Sequence, residues 1–247
     1  MKKANDRTNA KLFVSGEYRV ISSREPHSTV SEQYRKLRTN IDYSSFNDEL
    51  KVINLTSSVP GEGKTVTALN LATVYSQSEI KTLVIDMDLR KPKIHRAFNI
   101  SNSIGLAQTV INDMALEKTI YKASEFLHVL PAGDKLPFPS EFLLSKKLHA
   151  LIETLKEKYD KIIIDCPPMT AVTDASIISK FSDGTALVIA SRKTSADVAS
   201  SVVKNLKENG ANMIGAILTR VQKRDAKYAA GYYYYYSENY EEVSDKD

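Results

Sequence analysis

The segment Ser58-Val-Pro-Gly61-Glu62-Gly63-Lys64-Thr65 carries the residue types needed to grip a polyphosphate. Its glycines let backbone approach a ligand closely, its lysine supplies a point charge, and the adjacent hydroxyl can ligate a hard cation. The spacing is that of a phosphate-binding loop, except that Ser58 stands where the pattern has glycine; a residue that small should be tolerated. VINLT before it reads as a strand and VTALNLATVYS after it as a helix. Backbone N–H groups from Gly61 through Glu62, Gly63 and Lys64 to Thr65, with Ser58 at the loop's start, are then expected to wrap phosphates at a positive helix end. Lys64 is expected to reach the β- and γ-phosphates and Thr65 to bind Mg²⁺. The plainer alternative, a helix N-terminus with coincidental glycines, leaves the Lys-Thr pair unexplained.

Two acidic segments could complete such a site. Asp165 ends KIIID and is placed to hold Mg²⁺, directly or through water, at the C-terminal edge of a parallel sheet. In LVIDMDLRKP, Asp86 and Asp88 fall on one side of an extended chain because side chains alternate. One could hold Mg²⁺ and the other accept a proton from an attacking hydroxyl. The basic run Arg90, Lys91, Lys93 and Arg96 is either a solvated face or a receptor for an acidic peptide. No Asn-Lys-x-Asp guanine-reading motif precedes the final strand, which favours ATP over GTP.

The elements that must position these groups follow from hydrophobic pattern. Strands are expected at 52–56, 82–86, 127–130, 161–165, 185–190 and 215–219. Several are apolar almost throughout, as strands covered on both faces should be. Helices are expected near 64–78, 104–111, 140–157, 174–181 and 195–209. Their alternation predicts an α/β fold, a mainly parallel sheet between helical layers. Residues 1–27 read as an arm, with a short strand possible in LFVSGEYRVIS and a turn at Arg24, Pro26 and His27. Residues 28–224 read as one domain. Within it, Val30, Tyr34, Leu37 and Ile41 form a helical stripe expected to dock on the body. Glu32, Arg35 and Arg38 would then form a row pointing outward.

Residues 225–247 read as a flexible tail. The last 21 residues hold seven of the 13 tyrosines, and 237–247 carry five acids and one lysine. Composition excludes other classes. With 34 basic against 30 acidic residues, the net charge of +4 gives no argument for nucleic acid. No apolar run approaches 18 residues and no apolar stretch follows the basic N-terminus, so neither a spanning helix nor a secretory signal is expected. Cys166 has no disulfide partner, which fits a reducing cytoplasm.

Together these residues resemble the bacterial tyrosine kinases, the autokinases of capsule and exopolysaccharide synthesis. The resemblance covers about residues 12–240. It rests on SSVPGEGKT, VIDMDLRKP, IIIDCPP, the helix SEQYRKLRTN, the proline-rich stretch LPAGDKLPFPSEFLLS and the tyrosine tail. It implies a P-loop NTPase-like fold, with ATP and Mg²⁺ bound by Lys64 and Thr65 and with Asp165 as the Walker B acid. Asp86 would be the base toward a tyrosine hydroxyl and Asp88 a metal ligand. Glu32, Arg35 and Arg38 would join subunits into a ring. Tyr228, Tyr232, Tyr233, Tyr234, Tyr235, Tyr236 and Tyr240 would be acceptors, each phosphorylated in a neighbour's site. A separate membrane adaptor that recruits the chain to the inner face of the plasma membrane, and a tyrosine phosphatase, are the implied partners.

Two other readings compete. A positioning or partition ATPase usually carries an early lysine in its loop, where Val59 and Pro60 stand here. A non-catalytic, nucleotide-gated scaffold would not need Lys64, Thr65, Asp86, Asp88 and Asp165 together.

Overall fold

A computed structural model describes residues 20–45 and 50–222. In chain order its elements are α1 (Ile21–Arg24), α2 (Thr29–Asp42), β1 (Val52–Ser57), α3 (Lys64–Ser76), β2 (Thr82–Asp86), α4 (Ile94–Ala97), α5 (Leu106–Ile111), α6 (Leu116–Thr119) and β3 (Tyr121–Lys122). There follow β4 (Leu127–Leu130), α7 (Pro139–Leu143), α8 (Lys146–Lys158), β5 (Lys161–Asp165), α9 (Asp174–Ser179), β6 (Gly184–Ala190), α10 (Ala196–Glu208) and β7 (Met213–Thr219). The seven strands form one sheet in the order β3-β4-β2-β5-β1-β6-β7. Every neighbouring pair is parallel except β3 with β4.

β1, β2, β4 and β5 are buried along their whole length, so their side chains alternate between two apolar layers. Ile53, Leu55, Val84, Val129 and Ile163 face one core with α3 and the inner side of α2. Val52, Leu83, Ile85, Ile162 and Ile164 face the other, built with α5, α8 and α9. α10 covers β6 on that second side through Leu187, Val202 and Leu206. This alternation positions the site. Asp86 and Asp165 share the parity of Val84 and Ile163, and so turn toward the side where α3 begins.

Three of the four long helices among the described residues, α2, α8 and α10, start at serine caps, where a side-chain oxygen accepts an otherwise unpaired N–H. Ser28 accepts from Ser31, Ser145 from Leu148 and Ser195 from Val198. The Ser145 cap splits the single helix expected over 140–157 into α7 and α8. Two-residue β3 and the single turns α1, α4 and α6 are too short to leave a periodic signal.

Several details differ from expectation. Val30 does not dock; it is half exposed, and Ser31 is buried in its place, its hydroxyl donating to the Glu25 carbonyl at 2.7 Å. Tyr34, Leu37 and Ile41 do pack on the core. Ile21–Arg24 is a helical turn rather than the end of a strand, while Pro26 and His27 form the expected turn. Val20 and Ser22 are buried against the body, where the Ser22 N–H donates to Asn70 Oδ1 at 2.9 Å. Residues 12–19 of the expected strand lie outside the described residues.

Candidate active site

The loop between β1 and α3 turns through two left-handed residues, Gly61 (φ 77°) and Gly63 (φ 96°), where an L side chain would be strained. Its shape is held from beneath by Glu62, whose side chain is fully buried. One oxygen accepts the Val59 N–H at 2.9 Å; the other accepts the Ala190 N–H at 3.0 Å and the Thr194 hydroxyl at 2.6 Å. The sequence placed Glu62 among the nucleotide-binding residues. Its side chain instead ties the loop to the end of β6, leaving only its backbone N–H for a phosphate. Ser58 is buried, and its carbonyl accepts from the Thr170 N–H and hydroxyl at 3.1 and 2.6 Å. The Ser58 hydroxyl has no partner, a cost of about 1–3 kcal/mol unless a ligand completes it.

Lys64 and Thr65 open α3 directly against the acids. Lys64 Nζ donates to Asp88 Oδ2 at 3.1 Å and to Asp165 Oδ1 at 3.2 Å. The Thr65 hydroxyl donates to Asp165 Oδ2 at 2.7 Å. Asp86 and Asp165 are register partners on adjacent strands. Asp86 is fully buried and accepts three backbone N–H groups, from Asp88 at 3.2 Å, Lys93 at 2.8 Å and Ile94 at 2.9 Å. It therefore folds the chain after β2 so that Asp88 returns toward Lys64. Asp88 in turn accepts the Lys91 N–H at 3.1 Å.

The electrostatics follow from burial. Desolvation pushes the Asp86 carboxyl up to about 7, and the Asp165 charge adds to it; the N–H groups of Ile94 and Lys93, and Lys64, oppose the rise. Burial also raises Asp165, against the pull of Lys64 and Thr65. For Lys64, burial acts to lower the value, but Asp165, Asp88 and Asp86 outweigh it and hold the ammonium above its ordinary range. Three buried carboxylates facing one ammonium leave an excess of negative charge in a medium that tolerates it poorly. Mg²⁺ fits that excess: Thr65, Asp88 and Asp165 offer hard oxygen donors, and no soft ligand competes. Among the described residues no three acidic, histidine or cysteine side chains already converge as a metal cage.

Several contacts were not read from the sequence. Lys193 Nζ donates to the Pro60 carbonyl at 2.6 Å and Arg220 to the Gly61 carbonyl at 2.7 Å, placing two cations beside the loop. Both follow the C-terminal ends of strands, where ligands gather in such sheets, and that position was an available signal. Arg90 is held by the fully buried Asp174 at 2.8 and 3.2 Å, and Ser140 donates to the same carboxylate at 2.8 Å. This joins the loop after β2 to the proline-rich segment, so Arg90 is not part of a free solvated face.

The outward row on α2 is only partly outward. Glu32 is exposed and pairs with Arg35, which also donates to the Pro26 carbonyl at 2.6 Å. Arg38 turns to the body, donating to the Val74 carbonyl at 3.0 Å and to the Ser78 hydroxyl. It closes the C-terminal end of α3, where unpaired carbonyls attract a cation.

A family model described as an AAA domain matches residues 50–213. The tyrosine-protein kinase YwqD of Bacillus subtilis is 39% identical over 90% of this chain and 93% of its own length. This chain belongs to the bacterial tyrosine-protein kinases. Another family member, the tyrosine-protein kinase etk of Escherichia coli, is 35% identical over 81% of this chain and 28% of that protein. The crystal structure of the chimerical protein CapA2B2 superposes with a TM-score of 0.80 at 33% identity, covering 87% of this chain and 95% of that one. In this kinase Lys64, Thr65, Asp86, Asp88 and Asp165 are brought together at one end of the sheet, and the family assignment outweighs both competing readings. The expected acceptors, Tyr228, Tyr232 to Tyr236 and Tyr240, lie outside the described residues.

Proposed function

We propose that this kinase transfers the γ-phosphoryl group of ATP to tail tyrosines Tyr228, Tyr232 to Tyr236 and Tyr240 of a neighbouring subunit in a ring. The reading places it in the control of capsular or extracellular polysaccharide synthesis and export. The observation that carries the catalytic part is Lys64 held between Asp88 and Asp165 at the mouth of the phosphate loop. The site then has a cation for the phosphates, a hydroxyl beside it and carboxylates for metal and proton.

When bound, Mg²⁺ neutralises phosphate charge and fixes the phosphates for in-line attack. Thr65, Asp88 and Asp165 would hold it. Lys64 follows the developing negative charge on the β- and γ-phosphate oxygens. A tyrosine phenol, with an ordinary pKa of about 10, arrives neutral. Its oxygen bonds to the γ-phosphorus while the bond from that phosphorus to the β–γ bridging oxygen breaks, and ADP leaves with the electron pair. The phenolic proton passes to a carboxylate, assigned here to Asp86. Position favours Asp86, at the end of β2 beside Asp165. Its three backbone N–H partners favour instead a positioning role, with Asp88 nearer the substrate. Substitution separates the two.

The ring reading uses Glu32, Arg35 and Arg38, and a separate membrane adaptor would recruit the kinase from the cytoplasm to the inner face of the membrane. A tyrosine phosphatase would reset it. Support for the adaptor comes from the relatives' differing extent: the chain spans nearly all of YwqD and 28% of etk. Among the described residues no helix is long and apolar enough to cross a membrane.

Transfer between subunits is tested by mixing a Lys64→Met chain, which keeps its tyrosines, with a chain truncated before Tyr228, which keeps its site. With labelled ATP and Mg²⁺ the full-length chain should be phosphorylated on tyrosine. Label appearing only when site and tail share a polypeptide would refute the reading. The same mixture carrying Glu32→Ala, Arg35→Ala and Arg38→Ala should lose the transfer; undiminished transfer would remove these residues from the interface.

A further inference from the structure

A cleft of about 360 Å³ opens at the opposite end of the sheet from Lys64 and its carboxylates. It lies where β2 and β5 begin, between α6, β3, β4 and the end of α8. Leu116 and Ile120 give it an apolar wall. Its base is a buried polar pair, His128 Nδ1 and the Tyr159 hydroxyl at 2.7 Å, with the two rings edge to face. Lys81, Lys122 and Lys158 stand exposed around the mouth, against one lining acid, Glu117. Among the described residues no ion pair engages any of the three lysines. Lys81 Nζ sits 5.3 Å from the centre of the Tyr159 ring. The positive field reaches inward: burial, with the charges of Lys122 and Lys81, pushes His128 down to about 4.

We infer that this cleft binds the phenyl phosphate of a phosphorylated tyrosine carried by the chain's own acidic C-terminal segment. Three ammonium groups suit a dianionic phosphate. An apolar wall with an aromatic base suits a phenyl ring, which a free inorganic anion would leave unused. The volume is at the small end of ligand sites, which run about 300–1,000 Å³. Charge complementarity points to the segment, since residues 237–247 carry five acids and one lysine. Chain length points to the segment of the same molecule. The cleft lies at the β3–β4 edge, whereas the chain leaves the sheet after β7 at the other edge. Five strand spacings separate β4 from β7, about 24 Å in a straight line. The acidic segment lies further along: the chain from Gln222 to Tyr240 spans up to about 60 Å when extended, more than enough to reach the cleft. The inference rests on the reading that these tyrosines are phosphorylated; it makes the kinase a reader of its own product.

The test uses the full chain, saturated with ADP·Mg²⁺ so that the phosphate loop is blocked. Only four histidines are present, and His128→Asn assigns the His128 imidazole resonance. A synthetic peptide of residues 236–247 phosphorylated on Tyr240 should shift that resonance, binding at least about tenfold more tightly than the unphosphorylated peptide. Phenyl phosphate should bind at least about tenfold more tightly than inorganic phosphate. Lys81→Gln, Lys122→Gln and Lys158→Gln together should weaken the phosphopeptide by about tenfold or more. Equal affinity for the two peptides, inorganic phosphate matching phenyl phosphate, or unchanged affinity in the glutamine variant would each overturn the inference. In the phosphorylated full chain the shift should be independent of protein concentration; a concentration-dependent shift would mean a second copy's segment and would overturn the assignment to the chain's own. The synthetic peptide arrives already phosphorylated, so the proposed autokinase reaction and this cleft can fail separately.

Discussion

The two ends of the parallel sheet handle buried charge in opposite ways. At the C-terminal ends of β1, β2 and β5, four ionisable groups crowd together: Lys64, Asp86, Asp88 and Asp165 are each at most 7% exposed. In the cleft beside the N-terminal ends of β2 and β5, the buried groups are His128 and Tyr159, and the lining lysines Lys81, Lys122 and Lys158 stay in water. Desolvation disfavours the charged form at both ends, raising Asp86 and Asp165 and lowering His128. The difference lies in compensation. Lys64 meets enough carboxylate to stay charged, whereas His128 has two lysines nearby and stays neutral. A crowd of buried charge is costly on its own and makes sense where a nucleotide and a cation complete it.

The largest effects should come from the charged end. Asp86→Asn and Asp88→Asn should each cut turnover by orders of magnitude. If Asp88 holds metal, its variant should need far more Mg²⁺, whereas Asp86→Asn should leave ATP·Mg²⁺ affinity nearly unchanged. Mg²⁺ titrations of both variants decide this, and the opposite pattern would exchange the two roles.

An intermediate effect should follow at Glu62, the anchor of the phosphate loop. Glu62→Gln replaces an acceptor oxygen with a donor among three groups that need acceptors. It should cost about 1–3 kcal/mol in urea unfolding and weaken nucleotide binding as the loop loosens. Unchanged stability would mean the loop holds its shape without this anchor.

The smallest effect should appear at the other end. His128 titrates near 6.5 when unfolded and at about 4 when folded. Between those values the unfolded chain binds the proton more readily, so stability is full above pH 6.5 and declines as pH falls toward 4. In His128→Asn the drop in unfolding free energy from pH 7 to pH 5 should be smaller than in the parent. Equal drops would contradict the neutral, desolvated imidazole.

The charged end was far more legible in the sequence than its opposite. The strands LVID, IIID and ALVIA betray themselves by uninterrupted apolarity, because both faces are covered. The phosphate loop has a fixed local spacing, and two-residue alternation already puts Asp86 and Asp88 on one side. The anchoring role of the Glu62 side chain was not legible because its partners Ala190 and Thr194 lie 128 and 132 residues away, and no local pattern encodes such contacts. Arg38 was read as outward for the same reason: the carbonyl it meets belongs to Val74. Val30 fits a helical stripe in register, yet it sits in the first turn of α2, beyond the edge of the core. The cleft at Lys81 and Lys158 gathers residues from five separate segments, none of which carries a motif.

The central claim is that Lys64, held between Asp88 and Asp165, serves phosphoryl transfer. Its most direct test is phosphotyrosine formed on the full chain with ATP and Mg²⁺, compared with Lys64→Met and read alongside thermal unfolding. The account predicts that the variant folds but forms no phosphotyrosine. Undiminished autophosphorylation in a folded Lys64→Met protein would contradict it.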